Sequence, residues 1–174
     1  MIAASLSAGL QLAVSLKAEN FPDTEGKYGK NMLNRVYELQ DEVRSIHEYQ
    51  PRAFIVGLFY YPIDACIDRT TGRSSFARLV AELRSRTGRN DLLSPTQLNR
   101  LDRSVVGLYV PSDLARIDFQ TGATRYFDVM EAPPEHGRPK VESTMSLAEL
   151  AEQLDQEFDR EASKQITYAD PESE

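Results

Sequence analysis

The nine residues AFIVGLFYY, positions 53–61, constrain this chain most. They lie between Pro51 and Pro62, carry no charged side chain, and are strand-sized, far short of the roughly 18 apolar residues that span a bilayer. A run like this has no polar face to offer water. It belongs in the centre of a sheet covered on both sides, which points to an α/β fold: a central mixed β-sheet flanked by α-helices.

The segment before it has a different period. Over residues 31–49, Met32, Leu33, Val36, Leu39, Val43 and Ile46 recur at helical spacing, so a helix is expected, ended by Pro51. A polar stripe runs through Asn31, Asn34, Arg35 and Glu38, whose spacings of three and four put these side chains on one face. Upstream, residues 10–17 alternate Leu10, Leu12, Val14 and Leu16 with Gln11, Ala13, Ser15 and Lys17, as in a half-buried strand. Residues 2–6 form its hairpin partner through Ser7-Ala8-Gly9, and residues 18–30 are a loop holding Pro22, Gly26 and Gly29.

Downstream, Ser74 or Ser75 caps a helix that turns Phe76, Leu79, Val80 and Leu83 inward and closes near Gly88. Ser94-Pro95 opens a short helix to about Leu101, and residues 105–110 are another buried strand. A hairpin of residues 115–119 and 123–130 turns at Gln120-Thr121-Gly122, and residues 146–162 form an acidic amphipathic helix.

With 41% apolar and 27% charged residues in 174, one domain is expected over residues 1–165, followed by a frayed acidic tail at 166–174. The lone Cys66 excludes an internal disulfide and fits a cytoplasmic setting. No membrane segment is expected, and the N-terminal MIAASLSAGLQLAVSL lacks the basic start of a signal peptide. The net charge of −7 divides into +1 over residues 1–87 and −8 over 88–174, so any polyanion has to meet the first half.

Three consecutive segments carry a signature: LAVSLKAEN (12–20), GKYGKNMLNRVYELQDEVRS (26–45) and YQPRAFIVGLFYYPID (49–64). In this order they resemble the PD-(D/E)XK nuclease superfamily and its restriction-endonuclease-like members, in which a catalytic strand ends in (D/E)-x-Lys beside a helix bearing Asn, Arg and Glu. The resemblance implies a restriction-endonuclease-like fold and a Mg2+-dependent endonuclease of restriction or phage-defence type that hydrolyses double-stranded DNA. A non-catalytic DNA-binding or assembly module on the same fold is the alternative. Many relatives are dimers, so a homodimer with two-fold symmetry is part of the expectation.

The resemblance makes Lys17 the catalytic lysine, with Glu38 an accessory acid and Ser15 at the motif's carboxylate position. Glu19 and Glu38 become the metal candidates, and Lys27, Lys30, Asn31, Asn34 and Arg35 the DNA-binding residues. Phosphodiester hydrolysis wants such a set, because a cation offsets charge at the phosphate while a positioned group orients the attacking water. Two departures stand out. Ser15 replaces an acid, and a hydroxyl is a far weaker Mg2+ ligand than a carboxylate; residues 1–11 contain no Asp or Glu. Three explanations stay open: a coding frame that starts downstream of the true start, a non-cleaving relative, or Glu19, Asp23 or Glu38 moved into the metal role.

Other features have plainer readings. Arg73, Arg78, Arg84, Arg86 and Arg89 either grip phosphates or form a solvated face paired with the acidic C-terminal helix. His47 and His136 lack ligand neighbours and are read as surface residues, and Cys66 as a bystander. Residues 26–30 lack phosphate-loop spacing and read as a loop on the active-site side, where Tyr28 is the base-stacking candidate.

Overall fold

The computed structural model describes residues 2–5, 9–69, 72–90, 94–111 and 123–167. The apolar run at the chain's centre becomes β3 (Phe54–Pro62), and it lies in the middle of a five-stranded sheet ordered β1-β2-β3-β4-β5. β1 (Ile2–Ser5) and β2 (Gly9–Ala18) form the expected antiparallel hairpin, with a register shift between Ala3 and Ala4. β2 then pairs parallel with β3, and β3 parallel with β4 (Arg103–Tyr109). β5 (Thr124–Asp128) closes the sheet antiparallel to β4. The α/β architecture read from the sequence is present: a mixed sheet flanked by helices.

Parallel neighbours need crossovers, and both use helices. α1 (Met32–Tyr49) joins β2 to β3, and α2 (Ser75–Arg84) lies between β3 and β4. Both pack on the same face, where Met32, Val36, Leu39 and Val43 of α1 and Phe76, Leu79, Val80 and Leu83 of α2 meet Ala13, Ile55, Phe59, Val106, Leu108 and Phe127 of the sheet. α3 (Leu147–Thr167) covers the opposite face. There Leu150 and Leu154 pack with Val14, Leu58, Tyr60, Val105 and Tyr126, and the ring of Phe158 stands edge-on to Phe54 at 6.4 Å. β3 is therefore apolar on both sides because each side meets a different helical layer.

The caps follow local chemistry. Ser74 accepts the Ala77 amide at 3.2 Å, as an N-cap serine does. Gly57 has a different reason. A β-carbon there would come within 2.9 Å of a Leu101 methyl and 3.2 Å of a Leu39 methyl, so its missing side chain lets α1 and the segment before β4 close onto the sheet.

Several expectations change. The helix expected after Ser94 is a single 3-10 turn, Pro95–Gln97. α3 runs on to Thr167, beyond the expected end at 162 and past the start of the tail expected from 166. The strand at 115–119, its turn at 120–122 and the tail from 168 lie outside the described residues. Among the described residues no helix is long and apolar enough to cross a membrane.

Filling the Gly57 gap will cost stability. Gly57→Val is expected to lower unfolding free energy by about 1–3 kcal/mol through overpacking, read as a lower urea midpoint at unchanged slope.

Candidate functional site

Residues alternate across a strand, so Ser15, Lys17 and Glu19 share the face of β2 that α1 covers. Opposite them, α1 presents Asn31, Arg35, Glu38 and Glu42, spaced four, three and four and therefore on one stripe beside its buried face. Strand and helix meet along a polar seam. Ser15 Oγ donates to Glu42 Oε2 at 2.5 Å, and Lys17 Nζ sits 2.5 Å from Glu42 Oε1. The Lys17 side chain is only 13% exposed, whereas Glu42 is 48% exposed, so the lysine is held from the solvent side by a carboxylate.

Higher on the seam, Arg35 Nη1 donates to Glu38 Oε2 at 2.8 Å and also acts electrostatically on Glu19. Asn31 holds the N-cap position but leaves its own helix without a side-chain cap, and it favours the charged form of Glu19. Burial holds the Glu19 carboxyl above the usual glutamate range, against the pull of Arg35 and Asn31. For Glu42 the balance is reversed. Partial burial opposes its charge, but the hydrogen bonds from Lys17 and Ser15 outweigh it and hold the carboxyl below that range.

Two carboxylates of the seam are held in ion pairs: Lys17 holds Glu42, and Arg35 holds Glu38. The buried Glu19, the other metal candidate, feels Arg35 only as a longer-range charge. Among the described residues, no group of three or more His, Cys, Asp or Glu side chains is placed to hold a metal ion. This donor set does not fit a dedicated Mg2+ site, which wants carboxylate oxygens free of competing cations.

The loops after β2 and β3 reach the same end of the sheet, the usual location of ligand crevices in parallel α/β sheets. Asp23 Oδ1 accepts the amides of Glu25 and Lys27 at 2.9 Å each, which closes the turn at Gly26. Lys27 pairs with Glu25, while Lys30 and Asn34 are exposed. Asp68 ties the loops together: its two oxygens accept the amides of Tyr28 and Ser75, each at 2.9 Å. Tyr28 is buried against Tyr61, whose hydroxyl donates to the Tyr28 carbonyl at 2.9 Å, so it is a packing residue instead of the expected base-stacking platform.

Three members of the arginine run have a different role from either expectation. Arg84 donates to the carbonyls of Val129 and Glu131, and Arg86 to Gln40 and Glu82. Arg89, 1% exposed, donates to Asp102 at 3.1 Å and to the Pro51 carbonyl at 2.8 Å. Arg84 and Arg89 thus brace loops, Arg86 ties the end of α2 to α1, and Arg103 of β4 reaches Glu157 on α3, at 2.9 Å. Arg78 remains exposed, and Arg73 faces Glu135 at 3.5 Å. His47 is fully buried, in contrast to the surface position read for it. Its ring nitrogens contact the carbonyls of Leu98 and Ala53 at 2.8 and 3.2 Å, and burial pushes it toward its neutral form.

Comparison with protein-family models, with curated proteins and with solved structures finds no match.

Two measurements check this geometry. A double-mutant cycle of Lys17→Ala and Glu42→Gln should give a coupling of up to about 1 kcal/mol near neutral pH, modest because Glu42 is half exposed. The Glu42 carboxyl is held below its unfolded range, so the coupling is present above the ordinary glutamate range and lost as pH falls below it. Asp102→Ala strands the Arg89 charge and should cost about 3–5 kcal/mol in urea unfolding, whereas Arg78→Ala should stay within about 0.5 kcal/mol.

Proposed function

We propose that this chain is a double-stranded-DNA-binding module that keeps a restriction-endonuclease-like layout without a self-contained cleavage centre. The observation that carries this reading is the self-pairing of the seam: Lys17 is committed to Glu42, and Arg35 to Glu38. A lysine that orients water must be free to approach the scissile phosphate, and metal ligands must be free of fixed cations. The pairing of Lys17 with Glu42 and of Arg35 with Glu38 speaks against both conditions. Support for the nucleic-acid partner comes from the order of strand, Asn/Arg/Glu helix and buried strand, and from Lys30, Asn34 and Arg78 exposed near the crevice end. In this reading the protein works in the cytoplasm, and a two-fold homodimer would present two equivalent seams to a palindromic duplex.

One observation favours the second reading, a Mg2+-dependent endonuclease. Glu42 brings a helix-borne carboxylate onto Ser15, where the strand motif lacks its acid, and the same carboxylate touches Lys17. An approaching phosphate or cation would then compete for the pair.

Mixed-sequence plasmid DNA distinguishes the two. Duplex binding that weakens steeply with salt, with plasmid topology unchanged in Mg2+ or Mn2+ relative to EDTA, is the expected outcome. Metal-dependent nicking that disappears in Lys17→Ala and in Glu42→Gln would establish the endonuclease instead. Absence of both binding and cleavage would sink both readings.

A further inference from the structure

Away from the seam, the β2–α1 loop meets the start of α2 at Gly29. This glycine does not have the left-handed backbone that would by itself call for glycine. What excludes a side chain is crowding by polar groups. A β-carbon at Gly29 would lie 3.3 Å from Arg69 Nη2, 3.3 Å from Ser75 Oγ and 3.8 Å from Arg78 Nη1. Two guanidinium ends and a hydroxyl, drawn from the β3–α2 loop and the first turn of α2, thus converge beside one bare α-carbon.

Two atoms of this convergence lack partners. Ser75 is 0% exposed, yet its Oγ has no hydrogen-bond partner, and neither does the buried Nε of Arg69. An unmet buried polar group is costly to leave so, and orphaned donors beside a second arginine mark a place built for an acceptor. Ser75 is the first residue of the ten-residue α2, whose N-terminal end adds partial positive charge. Asp68 is the opposing charge here. Both of its oxygens are engaged by the backbone amides of Tyr28 and Ser75, so it fixes the two loops while the guanidinium groups of Arg69 and Arg78 turn toward Gly29.

We propose that Arg69, Ser75 and Arg78, gathered over Gly29, form a binding site for a phosphate group. The ligand class follows from the donor set. Planar guanidinium groups and a hydroxyl suit a tetrahedral oxyanion with several acceptor oxygens. The site stands on its own geometry and goes beyond the DNA-binding reading, since the phosphate can be a free ion or monoester or part of a polynucleotide backbone.

The test is thermal unfolding of the full chain with inorganic phosphate titrated against chloride at matched ionic strength. A saturable rise in Tm is expected, with apparent affinity about tenfold or more weaker in Ser75→Ala and in Arg78→Ala. The control Arg44→Ala, on the outer face of α1, should respond as the parent does. Ser75→Ala removes an unmet hydroxyl, so without phosphate it should be at least as stable as the parent. Its loss of response is therefore not a folding defect.

A Tm that responds no more to phosphate than to chloride, or that responds equally in the variants, overturns the site. A short duplex DNA separates the sources. Competition between duplex and phosphate assigns the site to the backbone of a nucleic acid; saturable phosphate binding with no effect of duplex assigns it to a free phosphate or monoester and leaves the DNA-binding reading to stand or fall alone.

Discussion

The closeness of α1 to the sheet is the constraint on which the rest depends. It is permitted at Gly57, where the absence of a side chain admits the methyl groups of Leu39 and Leu101. Gly57 pairs in register with Ser15, so the same contact that seats the helix sets the height of its polar stripe against the polar residues of β2. The buried stripe of Met32, Val36, Leu39 and Val43 fixes the helix rotation, and Asn31, Arg35, Glu38 and Glu42 are then carried to the seam without further choice.

The chemistry of the seam follows from neutralising charges that are close together and partly shielded from water. A lysine ammonium only 13% exposed needs an acceptor, and Glu42 supplies one while also accepting a hydrogen bond from the Ser15 hydroxyl. Arg35 serves Glu38 in the same way. What stabilises the seam also occupies it, since groups that could handle a phosphodiester are held by one another. The Gly29 cluster is the opposite case, with Ser75 Oγ and Arg69 Nε buried and unmatched.

Much of the fold was legible because its signals are local. The period-2 strand, the helical stripe and the doubly apolar strand around Gly57 appear as β2, α1 and β3 within one or two residues of the expected bounds. The site was legible only in part. Ser15, Lys17 and Glu19 do share a face with the stripe through Glu38, but their central partner, Glu42, lay one turn further on. Its four-residue spacing from Glu38 was a usable signal; which turn meets Lys17 depends on how far α1 slides along the sheet, a tertiary property. His47 continues the buried stripe four residues after Val43, a position that counting apolar residues alone passes over. Arg84, Arg86 and Arg89 looked like a solvated charge run because the carbonyls and carboxylate that receive them come from residues distant in sequence.

Calorimetric titration of Mn2+ into the protein without nucleic acid tests most directly whether the carboxylates of the seam are held by protein cations. The pairing of Lys17 with Glu42, and of Arg35 with Glu38, predicts no saturable binding. Stoichiometric binding that is lost in Glu42→Gln or Glu38→Gln would contradict it, and would show that a divalent ion displaces the lysine or the arginine from these carboxylates.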